Sequence, residues 1–542
     1  MPQEQELERI KEIQQRGFLG RLGGYAKMTG PGWVQAAVTL GGGSLVGALY
    51  LGVIGGYQFM WLQPLAMLCG VIMLSAISYV TLSSEDRPFV AVKKNISPTL
   101  AWGWLIATVV ANVVFCSAQF ALGTDAAQNN LGIIPNSPAP YLITAVFALG
   151  SLSLLWLSRQ GSRASKIIDN ILKGLVATVV LAFMGVVVVL AAKGAIQWGA
   201  LVKGLIPDFS ALFKPTSTYA DAIAATGENA GFWTKYIADN QRNVIIGAFG
   251  SAVGINMTFL LPYSIKAKGW GRAHRELSLF DLALGLFVPF ILATSFLVIA
   301  TSSQFHAKAD GVHSEMAYHN VIDQRLADAN PAYALLPIEE KQIIRDALPQ
   351  AEKDMGVMLA QRNARDLATS LVPFLGKNAQ LIFGLGVLAM ALSTMIVHMM
   401  MNGYAISEAL GRPGEKGIFM IGAAMPALTG LLSPILWSGQ TKTALVVPAA
   451  VIATTLLPIA YLVFILLMNS PRTLGKELPK HRVPINAVLI LAAGVAAFAS
   501  VWSLWGRAAA GGTTGMIGIA GLIALPLLLL TGLVGFFRSN RA

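Results

Sequence analysis

Two clusters of small and polar residues interrupt otherwise apolar stretches of the chain. They are Gly41-Gly42-Gly43-Ser44, and Gly250, Gly254, Asn256, Met257 and Thr258 followed by Pro262. A glycine costs about 1 kcal/mol relative to alanine in a helix interior, so three in a row make a helix easy to interrupt. Inside a membrane, an interrupted helix offers free carbonyls, free amides and half-helix ends, which are the groups that hold ions and small solutes at the centre of transporters. The backbone at Gly41, Gly43 and Val253, the hydroxyls of Ser44 and Thr258, the Asn256 amide and the Met257 thioether therefore form the candidate substrate site. For a bound metal the candidate ligands are Ser44, Asn256 and Met257. The competing reading is close helix packing, because Gly43 and Gly47 make a GxxxG pair. His398 is a candidate gating or coupling group. His398 is a histidine inside an apolar run, where it either exchanges a proton near neutral pH or bonds between helices. Its neighbours Met395 and Met399 to Met401 point in different directions along a helix and read as apolar filler rather than a copper site.

The elements that must position these residues follow from composition. Of 542 residues 55% are hydrophobic and only 12% charged, whereas a soluble protein has about a quarter charged. The chain is an integral membrane protein, all-α, and 54 glycines and 25 prolines agree with membrane helices. Twelve apolar runs, each near the roughly 20 residues needed to cross a bilayer, lie at 31–54, 57–82, 100–123, 138–157, 167–192, 243–264, 278–302, 379–405, 417–437, 443–468, 484–505 and 515–537. We number them spans 1 to 12. Cys69 and Cys116 both sit in such runs, so neither a disulfide framework nor a zinc site is expected.

Charge orients the chain. With residues 1–29 as a cytoplasmic tail, the short segments on that side carry 23 Lys and Arg residues, and the positive-inside rule puts both termini in the cytoplasm. The tail lacks a signal-peptide core, so the first span is retained, and a bacterial-type plasma membrane suits the inside-positive segments. Two long outer loops follow, 194–242 and 304–376. The second holds ten acidic residues and helix-like stretches, and reads either as a small ordered cap or as a solvated linker. Neither carries a nucleotide-binding motif or a metal-ligand cluster, so no enzyme, cofactor or nucleic-acid partner is expected, and the +12 net charge belongs to the membrane-facing segments.

Several stretches resemble the natural resistance-associated macrophage protein (Nramp) family of divalent-metal transporters, in order along nearly the whole chain. They are Gly30-Pro31-Gly32-Trp33, Gly56-Tyr57 with Trp61, and Trp198-Gly199 with Lys203-Gly204-Leu205-Ile206-Pro207. Asp281-Leu282-Ala283-Leu284-Gly285, Phe305-His306 and Leu371 to Gly376 complete the set. The resemblance implies two inverted five-helix repeats plus two extra helices. Residues 30–193 would be the first repeat and 243–468 the second, with 304–376 inserted and 469–542 holding the last two spans. The substrate would lie at the bilayer midplane between spans 1 and 6.

The chain departs from the family at the site itself. Gly41-Gly42-Gly43-Ser44 stands where metal-transporting relatives carry Asp-Pro-Gly-Asn. The family's Met-Pro-His aligns so that its methionine falls on Asn256 or on Met257, with no histidine after it. The Asp-Leu-Ala-Glu-Phe proton route of span 3 is replaced by Cys116-Ser117-Ala118-Gln119-Phe120, and Leu392-Ser393-Thr394 occupies the Gln-Ser-Ser position of span 8, so the resemblance implies Gln119 and Thr394 as further candidate gating or coupling groups beside His398. Even one carboxylate-sized ion costs of order 20 kcal/mol by idealised transfer to a dry interior, and the cost grows with the square of the charge. A neutral pocket therefore cannot strip and hold manganese or iron. The expectation is an alternating-access transporter of divalent cations, hydrated and Mg²⁺-like, without proton coupling. Rival readings are a carrier of a neutral or zwitterionic organic solute, and a non-transporting receptor or scaffold that uses the 304–376 cap. Asp169 and Lys173, four apart on span 5, are expected to pair along one helix face, and Asp281 and Glu408 to act at cytoplasmic helix ends.

Overall fold

Glycine and proline decide where the helices of this chain stop. The computed structural model describes residues 2–134, 139–310, 314–376, 378–436, 446–509 and 511–541. Over those residues the chain is helical, without strands, and each of the twelve apolar runs lies on helix. Eight described helices are long and apolar enough to cross a bilayer alone, and ten if each bent pair is one crossing. The helix of span 9, Lys416–Leu431, is shorter, and span 6 is divided.

Span 1 consists of Pro31–Thr39 and Gly42–Gly55, bent by 57° at the break. Proline at the first position starts the inner half, where its missing N–H has no intrahelical partner to lose. Gly56 ends the outer half with φ +57, and a Cβ there would come within 2.4 Å of the His306 ring, so glycine is required twice over. Span 6 consists of Ala230–Ser251 and Ile255–Ala267. Span 3 (Pro98–Asp125), span 5 (Ser162–Ala192) and span 8 (Asn378–Ala409) pack around these broken helices. Span 7 opens with Arg275–Asp281, passes through a wide turn at Leu282–Phe287 and continues as Val288–Phe305.

Two expectations are corrected here. The helix that carries span 6 begins at Ala230, ahead of the apolar run that starts at 243, because Trp233 and Ile237 turn an apolar face into a second core with Tyr219, Ile322, Met355 and Leu359. That core joins the two outer loops into one helical cap, which also contains Glu315–Ala329, Ile338–Asp346 and Gln350–Leu359. Arg325 inside it pairs with the buried Glu352. The second correction concerns span 5. Asp169 pairs with Lys268, and Lys173 Nζ donates to the Thr29 carbonyl at 2.9 Å, so both reach across to other helices instead of to each other.

Candidate functional site

Breaking a helix frees carbonyls on one side and amides on the other, and a buried polar group without a partner is costly. At both breaks, neighbouring side chains supply those partners. Thr394 of span 8 directs its hydroxyl to the Ala37 and Leu40 carbonyls at 3.1 and 3.3 Å, and Ser44 donates to the Gly41 carbonyl at 2.9 Å. The Gly42 amide, first in the outer half of span 1, donates to Gln119 Oε1 at 2.9 Å. Across to span 6, Thr39 donates to the Ala252 carbonyl at 2.8 Å and Gln35 to the Met257 carbonyl at 3.2 Å. Spans 1, 3, 6 and 8 thus meet at one buried polar junction.

The structure brings Ser44 and Thr394 against the backbone at Gly41, and Gln119 onto the neighbouring Gly42 amide. A Cβ on Gly41 would lie 2.6 Å from Thr394 Oγ1, so that glycine leaves no room for a side chain. Asn256 is buried and turns to span 3, donating to Asn112 Oδ1 at 3.3 Å while accepting from the Met257 amide. Met257 is buried as well, inside the bundle and not at its lipid face. Thr258 accepts from the Trp104 indole at 3.0 Å, and Val253 packs where a Cβ on Gly70 would be 2.3 Å from its Cγ2. These two side chains therefore face spans 3 and 2 rather than the break in span 1. His398, one turn beyond Thr394, is buried and stacked on Phe115 with ring centroids 5.5 Å apart.

Sequence reasoning missed Gln35, Thr39 and Asn112. Their signal was available: polar residues inside apolar spans, with Gln35 and Thr39 four apart and Asn112 seven before Gln119, hence on shared helix faces. Gln35 Oε1, Asn112 Nδ2, Gln119 Nε2 and His398 Nδ1 are buried and lack hydrogen-bond partners among the described residues. Three of them are amide atoms and one is an imidazole nitrogen. No group of three His, Cys, Asp or Glu residues that could hold a metal occurs among the described residues.

Gly43 is the floor of a cavity of about 340 Å³. The outer half of span 1 lines it with Val46, Gly47 and Tyr50, span 6 with Asn240 and Asn243, and span 11 with Trp502. Among the described residues, no charged side chain is in its wall. A Cβ on Gly47 would meet open space, so this glycine faces the cavity and the GxxxG packing alternative is not what the fold uses. A second cavity of about 270 Å³ shares Val46, Tyr50 and Asn240 and reaches the cap at Gln361 and Arg362. The opposite end is shut. Both Asp281 carboxylate oxygens accept amides at the start of span 1, from Gly30 at 2.9 Å and Gly32 at 2.6 Å. A Cβ on Gly32 would be 2.1 Å from the Asp281 carbonyl oxygen, and Arg87 pairs with the buried Glu408 at 3.1 Å. The molecule is closed at the end where Asp281 lies and hollow at the capped end.

No curated protein sequence matches the chain significantly. Among solved structures, a crystal structure of the Eremococcus coleocola manganese transporter with a histidine-to-alanine substitution is 15% identical, with 94% of each chain covered and a TM-score of 0.66. A glutamate-to-glutamine variant of that transporter gives 15%, 94% of each chain and 0.65. The same transporter in complex with an aromatic bis-isothiourea substituted compound gives 15%, 94% of each chain and 0.63. At that identity the likeness shows the fold, the five-plus-five inverted-repeat arrangement with two added helices. The family described as natural resistance-associated macrophage protein-like matches residues 32–332 and 352–506. With that match spanning most of its length, the chain belongs to the Nramp family.

Proposed function

We propose that the chain moves a divalent metal ion across the membrane by alternating access, the ion passing largely hydrated and without a coupled proton. Family membership and the fold shared with a manganese transporter support metal-ion transport. The observation that carries the finer reading is the neutral junction. Gly41 excludes a side chain, and Gln119 is an amide already bonded to Gly42. A dehydrated divalent ion would have no counter-charge among these groups, whereas a hydrated one needs only hydroxyls, amides and carbonyls. The Asp281 latch and the hollow above Gly43 support opposite gates. The clustering of basic residues on the short segments supports cytoplasmic termini, with the cap outside.

Flux into vesicles that contain the purified protein tests this reading, with an internal Mg²⁺ indicator, an internal Mn²⁺ indicator and a pH dye run in parallel. The expected result is Mg²⁺ entry with a flat pH trace and little discrimination among divalent ions. High-affinity Mn²⁺ uptake accompanied by acidification would overturn it. A second reading, a carrier of a neutral or zwitterionic organic solute, is favoured by one observation: the cavity at Gly43 is large for an ion, mostly apolar, and walled by Trp502. Vesicles with no ion flux under any gradient would turn the search to such solutes.

A further inference from the structure

Before span 1 the chain forms two helices, Pro2–Gln15 and Phe18–Ala26. In the second, Phe18 and Leu19 are 74% and 79% exposed, while its other end is buried at Gly24 and Tyr25. The segment is fixed in place. Tyr25 donates to Glu276 Oε2 at 3.0 Å, Arg21 lies 3.8 Å from the same carboxylate, and Ile13 fills the space a Cβ on Gly24 would need. Glu276 is in the first turn of span 7, and Pro31 begins span 1 five residues after this helix ends. These contacts hold the end of this helix beside the first turns of spans 1 and 7, with Phe18 and Leu19 exposed at its start.

Charge identifies what they meet. Between Glu12 and Glu85 the sequence holds no acidic residue, while Arg16, Arg21 and Lys27 frame the exposed pair. Arg16 and Lys27 are exposed and form no ion pair among the described residues, although Glu8 and Glu12 of the first helix line the same hollow with Arg9. Apolar tips flanked by cations on a short amphipathic helix beside a membrane fit an interfacial lipid site, with the ring and leucine entering the acyl boundary and the cations meeting headgroup phosphates. We propose that residues 16–27 form a docking surface for the anionic headgroups of the leaflet at this end of the protein. Because the segment leads directly into the inner half of span 1, which Asp281 holds, lipid bound there sits at the root of the gate.

Amide hydrogen exchange of the full chain tests this, in nanodiscs of phosphatidylcholine alone and of phosphatidylcholine with phosphatidylglycerol. With Arg16 and Lys27 free to meet headgroups, exchange over 16–27 is expected to slow on the order of tenfold in the anionic discs, and to recover in high salt. The quadruple variant Arg16→Gln, Phe18→Ser, Leu19→Ser, Lys27→Gln should lose the difference while exchange over 275–281 stays as in the parent, which shows that the fold persists. Equal exchange in both lipids, or protection that survives the quadruple variant, would overturn the proposal. So would protection that rises with protein concentration in detergent without lipid, which would assign the surface to a second copy of the chain.

Discussion

At Gly41, which the resemblance aligns with the family's aspartate, the physics is steric before it is electrostatic. A carboxylate cannot be restored there alone, because the first atom of any side chain would press on Thr394. Gly41→Asp by itself should therefore lower stability by about 1–3 kcal/mol, as overpacking does, and bind no Mn²⁺. Combined with Thr394→Ala, which leaves only a contact of 3.2 Å to the remaining Cβ, it should give Mn²⁺ binding measurable by calorimetry. A double variant that folds and still ignores Mn²⁺ would mean that these glycines do not stand in the place of the family's aspartate. The loss of charge was legible in the sequence, since glycine and glutamine cannot hide a carboxylate. The replacement of ligand by packing was not, because it depends on a threonine more than 350 positions away. Val253 and Thr258 show the same limit: they lie beside the break, yet the turn of the helix points them at other spans.

For helices, the informative feature is that Asp281 caps the inner half of span 1 from outside. One carboxylate accepts two amides, a match for the N-terminus of a short helix in both geometry and charge. Asp281→Asn keeps the size but turns an NH₂ toward one of the two amides, so a buried donor loses its acceptor at a cost of about 1–3 kcal/mol. Exchange of the amides over 31–39 should then quicken by roughly the matching factor of 5 to 150; unchanged exchange would show that the seat is held by packing at Gly32 and Gly285 alone. The helix break itself was readable from three adjacent glycines. Its bend and its caps were not, since Gln119, Thr394 and Thr39 come from three different spans and no local pattern links them.

On the scale of the whole molecule, twelve apolar runs translated directly into helices because nothing but a helix satisfies its backbone within lipid. The cap was harder to foresee. Its core draws on two loops about a hundred residues apart and on the top of span 1, and the helix of span 6 starts ahead of its apolar run for that reason. His306 ties the cap to the membrane part, bonded through Nδ1 to the Val53 carbonyl at 2.9 Å and through Nε2 to Thr218 at 2.8 Å. Burial pushes its pKa below the usual 6.5. The unfolded chain then takes up the proton first, so stability is full above pH 6.5 and declines as pH falls below it. The thermal midpoint should drop between pH 6.5 and 5 in the parent, and less in His306→Gln; parallel curves would place the acid-sensitive group elsewhere.

The junction between the broken helices also says something about traffic. Thr39, Ser44, Gln119 and Thr394 already satisfy the backbone there, so a passenger must trade its contacts for bonds the empty carrier already enjoys. A shallow resting place of that kind lets cargo go as readily as it takes it in, which suits the proposed passage of an abundant species better than the scavenging of a trace element.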